Sequence, residues 1–342
     1  MHAHRPLRLR LSHLLLGLGT AVLASAATAG AASRADYDSA FITRLSSSVV
    51  KITANGPGNK LFSGSGVVVG PNEVLTNCHV TRNSERVSAV KGALRYPAVA
   101  QRADMARDLC LLTTYEMILP PVEVRSATTM ATGDTVFFYG YPGGADAFFT
   151  DGRVGSLHPF AGSSVIETSA GFGLGASGGG LFDAEGRLVG IATFLSAGHS
   201  GHYFAMPADW LTELRKQPAQ ELQPMPGMAL WELPTGQQPT FLQMQRMVQE
   251  KRWLEALDLA TRWIMEEPKN FDAWLSQGRA FSRTGQAAKA VEPLQRAIEL
   301  APGDANVIRE LGSALAAVGD KQASEALFAR LAPEDRDCEL AC

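Results

Sequence analysis

Cysteine is scarce. Four occur in 342 residues, too few for a small fold built on disulfides. An excess of either charge is also missing: 31 Lys and Arg stand against 34 Asp and Glu, a formal net charge of −3. No overall basic field therefore points to nucleic acid. Paired CxxC motifs are absent, so no metal is expected. No apolar stretch reaches the ~18 residues that would span a bilayer. What is present is an ordinary globular mix, 46% hydrophobic and 19% charged with 33 Gly and 18 Pro. It excludes a disordered chain, a collagen-like fibre and a long coiled coil, and the length suits about two domains.

Arg5, Arg8 and Arg10 precede an apolar run from Leu14 to Ala27, and small residues cluster at Ala24-Ser25-Ala26 and Ala27-Thr28-Ala29. A basic start, a short apolar stretch and A-x-A-like sites read as a secretory signal peptide over residues 1–29. The expectation is an exported protein in a compartment where disulfides can form.

Two composition regimes follow. Residues 33–215 are rich in glycine and short apolar runs such as Val49-Val50-Lys51-Ile52 and Thr135-Val136-Phe137-Phe138-Tyr139, the pattern of many short strands. Residues 216–239 hold five prolines and five glutamines and read as an extended linker, with Trp231 expected to tack it onto a neighbouring surface. Helical periodicity takes over in residues 240–336, before a short tail at 337–342. Trp274, Gly278, Phe281, Ala290, Leu294, Ala297 and Pro302 resemble the tetratricopeptide pattern, with Gln277 departing from it. One period later Ile308, Leu311, Gly312, Leu315 and Phe328 fit again. A generic antiparallel helical bundle is the alternative.

Three short motifs carry the chemistry. In Val74-Leu75-Thr76-Asn77-Cys78-His79 an apolar strand ends and a histidine follows at once. His2, His4 and His13 fall in the signal, leaving His79, His158, His199 and His202; only His79 sits at a strand end behind a glycine-rich strand. In Arg107-Asp108-Leu109-Cys110-Leu111-Leu112 one carboxylate heads an apolar run, where it would be costly without hydrogen bonds. Gly173-Leu174-Gly175-Ala176-Ser177-Gly178-Gly179-Gly180 is the most specific. Its glycines let backbone N–H groups converge, so a serine there could attack an acyl carbon while amides stabilise the oxyanion.

In the order His, Asp, Ser, the motifs resemble the trypsin-like serine proteases, most closely the Deg-type (high-temperature-requirement) branch of exported bacterial enzymes. The resemblance spans roughly residues 45–210 and includes Gly140-Tyr141-Pro142-Gly143-Gly144 and Phe204-Ala205-Met206-Pro207. It implies an all-β double six-stranded barrel, here followed by an all-α repeat solenoid, in a periplasmic or secreted bacterial protein. It also implies Ser177 as nucleophile, His79 as base, Asp108 as its orienting acid, and the amides of Gly175 and Ser177 as oxyanion hole. Ala176 and Gly180 depart from the family, which usually has Asn and Pro there. No cofactor is implied, and no particular oligomeric state.

The substrate pocket would involve Gly171, Phe172, Thr193, Phe194, Leu195 and His202. With no carboxylate at Gly171, Lys or Arg specificity is not expected. If His79 and Asp108 hydrogen-bond, Cys78 and Cys110 lie close enough for a disulfide; two buried free thiols are the alternative. The function implied is a serine endopeptidase acting on protein or peptide substrates. Its repeats would recruit a protein partner in a concave groove that the helices around Trp274, Gln277, Phe281, Ile308 and Arg309 line or support, and would be dispensable for the chemistry. A proteolytically silent scaffold protein is the second reading.

Overall fold

A computed structural model describes residues 39–144, 146–195 and 203–331. The signal peptide expected at 1–29, His202 and the tail at 337–342 lie outside the described residues. Helix α1 (Ser39–Ser48) leads into a closed barrel of β1 (Val49–Asn55), β2 (Leu61–Gly70), β3 (Glu73–Thr76), β4 (Arg86–Lys91), β5 (Leu94–Asp104) and β6 (Leu109–Thr114), in the order β1-β2-β3-β6-β5-β4. The one-turn helix α2 (Cys78–Thr81) lies between β3 and β4. A second closed barrel takes β7 (Thr135–Gly140), β8 (Phe148–Phe160), β9 (Ser163–Thr168), β10 (Gly180–Phe182), β11 (Leu188–Leu195) and β12 (Tyr203–Pro207), in the order β10-β11-β12-β9-β8-β7. All the strand pairs within the two barrels are antiparallel.

The β-branched runs explain the barrels. In β1, Val50, Ile52 and Ala54 are buried while Lys51, Thr53 and Asn55 are partly exposed, the period-two alternation of a strand with one face in the core. Those three fill the first barrel with Val68, Val74 and Leu112. Phe138, Ile166, Leu181 and Val189 fill the second. Closure removes the free strand edges that would otherwise invite pairing with another chain.

Helix α3 (Leu211–Leu214) follows β12. The Pro- and Gln-rich segment behind it is extended, as its composition implies, but it is not a free tether. Gln101 and Gln220 exchange backbone hydrogen bonds at 2.9 and 2.8 Å, Met225 N donates to Arg82 O at 2.7 Å, and Leu230 N donates to Ala106 O at 2.8 Å. Ala229 and Leu230 are buried. The segment is thus laid along the first barrel.

The C-terminal region is helical: α4 (Thr240–Gln249), α5 (Trp253–Glu266), α6 (Phe271–Arg283), α7 (Ala287–Leu300), α8 (Ala305–Ala317) and α9 (Lys321–Phe328). Each packs on the next. Gly278 allows the closest approach, since a side chain there would strike Leu294. Among the described residues no helix is long and apolar enough to cross a membrane.

This region is seated on the second barrel through polar groups. His158 of β8 is buried, with Nδ1 2.7 Å from Asp272 Oδ2 on α6 and Nε2 3.0 Å from Glu167 Oε2 on β9. Gln245 of α4 donates to the same Glu167 oxygen at 2.6 Å, and Phe241 stacks on the imidazole at 5.0 Å. Asn306 Nδ2 donates to Gly155 O at 2.7 Å. Burial alone would push the His158 imidazole down, but the two carboxylates outweigh it and raise it to about 10.

That raised value makes the seat sensitive to alkali. Against an unfolded value near ~6.5, the contribution is complete below about pH 6.5 and is lost as pH rises through about 10. The unfolding temperature should fall by several degrees (about 2–8 °C) between pH 7 and 10, and His158→Gln should flatten the slope. Calorimetry across that range checks it; an equal slope in the variant would assign the titration to other groups.

Candidate active site

The register of the first barrel builds half of the site. Thr76 of β3 pairs with Cys110 of β6, and continuing that register sets residue 78 beside residue 108. Cys78 N accordingly donates to Asp108 O at 3.2 Å. On α2, His79 N donates to Asp108 Oδ1 at 2.8 Å, and His79 Nδ1 lies 2.5 Å from Asp108 Oδ2. Two contacts from one residue fix both oxygens and hence the plane of the carboxylate. Asp108 is 1% exposed and sits at φ 56°, a left-handed conformation that Asp tolerates better than most side chains. A third donor completes its shell: Trp231 Nε1 at 3.1 Å, from the segment the sequence marks as a linker.

Cys78 and Cys110 are joined as a disulfide behind this pair, with Cα atoms 4.9 Å apart. The bridge closes a loop of 32 residues in sequence separation, worth about 2–4 kcal/mol in the chain-entropy account. Replacing both cysteines by serine should lower stability by about that amount, read by urea denaturation. An unchanged midpoint would mean that the packing of β3 on β6 suffices alone.

Ser177 arrives from the second barrel. Gly178 N donates to Ala192 O at 2.9 Å and Ala192 N to Gly179 O at 2.8 Å, anchoring the loop on β11. Ser65 N of β2 then donates to Ser177 O at 2.7 Å, tying the serine's backbone to the first barrel. Gly178, at φ +88°, admits that approach because a Cβ there would strike Ser65 O. Ser177 Oγ donates to Thr193 O at 3.3 Å. Buried Asn77 spans the seam as well: its Nδ2 donates to Asp108 O and to Thr193 Oγ1, both at 2.9 Å.

The loop before the serine presents amides of the kind that bind an oxyanion. Leu174 O accepts from Gly143 N at 3.0 Å, and in a trans peptide the following N–H, that of Gly175, points the opposite way. Among the described residues, neither Gly175 N–H nor Ser177 N–H is engaged in a backbone hydrogen bond. Gly175 has φ +82°, and a side chain there would strike Gly143. The arrangement offers two donors beside one hydroxyl, the requirement for binding a developing oxyanion.

The expected pocket residues scatter. Gly171 O accepts from Thr150 Oγ1 at 2.8 Å, and Tyr203 stands across from it, its hydroxyl 3.2 Å from where a Cβ would lie. Phe172 is 6% exposed and packs in the barrel core against Phe138 and Tyr203, at 5.2 and 5.0 Å. Apolar burial there outweighs exposure in a cleft. Thr193 is buried. Phe194 stacks between Phe204 and Trp231, at 4.7 and 5.5 Å, and Leu195 is exposed at the strand end. His202 lies outside the described residues. Among the described residues no group of three or more His, Cys, Asp and Glu could hold a metal ion.

Asn77 and Trp231 escaped the sequence reading as site residues. Asn77 carried a signal, a polar residue closing a buried strand. Trp231 carried only its isolation in a Pro-rich stretch.

Residues 64–191 match the model of the trypsin-like peptidase domain. A serine protease of Mycobacterium tuberculosis is 31% identical over 156 residues, which cover 42% of this chain and 39% of that protein. A probable periplasmic DegP-like serine endoprotease of Chlamydia pneumoniae is 27% identical over 155 residues, 42% of this chain and 32% of the other. The chain thus spans about two fifths or less of the length of these relatives. The crystal structure of a Mycobacterium tuberculosis protease in its active form superposes with a TM-score of 0.49 at 27% identity, covering 55% of this chain and 88% of that one. The chain therefore carries, in residues 64–191, a match to the trypsin-like peptidase domain and homology to serine proteases of the HtrA/Deg type.

Proposed function

We propose that this protein is an exported serine endopeptidase working through an acyl-enzyme. The observation that carries the reading is the meeting at one seam of three groups: the His79–Asp108 pair, Ser177 held by β2, and two amides that have no backbone partner among the described residues. Ser177 Oγ attacks the peptide carbonyl carbon, and its proton passes to His79 Nε2 while Asp108 holds the imidazolium. The amides of Gly175 and Ser177 take the oxyanion. Collapse expels the amine, which leaves with the proton from His79; water then attacks the ester, and Ser177 regains its proton.

Gly171 and Tyr203, with no carboxylate between them, favour small apolar residues over Lys or Arg at the cleavage point. Export to the periplasm or medium rests on the N-terminal pattern and on the periplasmic names of relatives. We assign the helices to tetratricopeptide-type repeats that recruit a protein partner. Part of their surface is already spent on the second barrel, through Gln245, Asp272 and Asn306. Of the residues expected at the groove, Ile308 is buried, Trp274 and Phe281 pack against the helical core, Gln277 donates to Thr261 and Arg309 donates to Asn306. They support the surface more than they line it.

One observation favours the silent-barrel alternative: Ser177 Oγ donates to Thr193 O, not to His79. In the endopeptidase reading Ser177 Oγ turns from Thr193 O to His79 Nε2 before it attacks. Fluorophosphonate labelling of the mature protein, with mapping of the modified residue, tests the proposal. Modification at Ser177 is the expected result, and no labelling would leave the scaffold reading.

A further inference from the structure

The segment between the barrels and the helices supplies a side chain to the catalytic pair. Trp231 donates its indole N–H to Asp108 Oδ2 at 3.1 Å, the oxygen that also meets His79 Nδ1. Its ring meets the His79 imidazole at 5.4 Å and nearly at right angles. On the other side it stacks on Phe194 of β11 at 5.5 Å. One indole therefore touches the acid, the base and the strand that accepts the Ser177 hydroxyl.

Its placement is fixed from both directions. Arg82, the residue after α2, pairs with Glu232 through both terminal guanidinium nitrogens, Nη1 and Nη2, at 2.5 and 2.6 Å. Burial pushes the Glu232 carboxyl up, but Arg82 and the Ala229 N–H outweigh it and hold it below its usual range. From the helical side, buried Gln238 donates to Trp231 O at 2.9 Å and Leu233 O at 3.0 Å. Gln243 of α4 in turn donates to Gln238 O at 2.7 Å. The seat of α4 and the turn bearing His79 thus meet at Trp231.

We propose that Trp231 is a positioning residue for the triad, so that the connection to the helical region belongs to the catalytic scaffold and is not a dispensable tether. A charge-assisted hydrogen bond to a buried carboxylate is stronger than a neutral one. Its loss removes one of the two donors on Oδ2 and leaves that oxygen held by His79 Nδ1 alone, a looser hold that slows proton transfer without touching substrate binding. This rests on the endopeptidase reading, and the experiment separates the two.

The full-length mature protein is compared with Trp231→Phe, which keeps a ring against Phe194 and removes the donor, and with Gln238→Ala, which loosens the turn. Trp231→Phe should lower kcat roughly tenfold with KM within about twofold, and should slow fluorophosphonate labelling of Ser177 in parallel. The NMR resonance of the proton between His79 Nδ1 and Asp108 Oδ2 should shift. Gln238→Ala should give a smaller effect of the same kind. Labelling of wild type and Trp231→Phe at equal rates, with an unmoved resonance, would overturn the proposal. A gain in kcat/KM would overturn it too, by making Trp231 a plug in the cleft. No labelling of wild type at Ser177 would overturn the endopeptidase reading instead, and the resonance would still report on Trp231. If Trp231→Phe does not fold, Gln238→Ala carries the same comparison, and its equality with wild type overturns the proposal.

Discussion

Ser177→Ala should abolish peptide hydrolysis and fluorophosphonate labelling while leaving the protein folded. Among the described residues the hydroxyl makes one hydrogen bond, to Thr193 O, and the carbonyl of the same residue makes the contact to Ser65 N that joins the barrels. The substitution deletes the first and keeps the second. Stability should therefore change by under about 1 kcal/mol, the ordinary net worth of a single hydrogen bond. Turnover should fall on the order of 10⁴–10⁶-fold, because the nucleophile is gone and only binding and the oxyanion amides remain. Calorimetry and a peptide assay on one preparation separate the two effects. A variant that keeps more than about a hundredth of the activity would show that another group does the chemistry.

Why the loop around Ser177 was legible, and the neighbourhood of Trp231 was not, follows from the range of the forces involved. Gly64, Gly66, Gly178 and Gly179 lie within short motifs, and a Cβ at each would strike a neighbour: Val80, Val74, Ser65 O and Phe138 respectively. Such constraints are written locally. The strands were legible for the same reason: alternation in β1, and the burial of Val67, Val68 and Val69 in β2, are local patterns. The pairing of Thr76 with Cys110 could be inferred only once His79 and Asp108 were assigned to one site. Gly171 carries the pocket signal locally, whereas the direction of the Phe172 ring depends on Phe138 and Tyr203, distant in sequence. Trp231 lies 123 residues from Asp108, and nothing in a Pro- and Gln-rich stretch encodes which carboxylate an indole will reach. His158 was weighed only as a candidate base. Its role in seating the helices depends on Asp272, 114 residues away.

Asp108→Asn should be nearly as damaging as loss of the serine, and the reason is a count of donors. Three N–H groups converge on the carboxylate: His79 N on Oδ1, with His79 Nδ1 and Trp231 Nε1 on Oδ2. A carboxylate accepts all three, whereas an amide offers one oxygen and turns its NH₂ toward whatever faces the other position. If the NH₂ takes the place of Oδ1, it abuts the backbone N–H of His79, which cannot become an acceptor. If it takes the place of Oδ2, it meets the indole N–H, which cannot accept either, and the imidazole Nδ1, which can. The second arrangement costs one bond instead of the backbone contact, and it holds His79 with Nδ1 as acceptor and the proton on Nε2. That tautomer cannot take the proton of Ser177, and no negative charge remains to steady an imidazolium. A fall in kcat of about 10⁴-fold is expected, with a stability loss of about 1–3 kcal/mol for a buried donor left without a partner. Adding Trp231→Phe to Asp108→Asn removes that unpaired indole donor, so the double variant should regain part of the lost stability and none of the lost activity. Urea denaturation and single-turnover labelling of the four proteins in the cycle measure both terms. Independent, additive losses of stability would mean that the amide does not turn its NH₂ toward the indole, and the proposed loss of activity through the wrong His79 tautomer would fall with it.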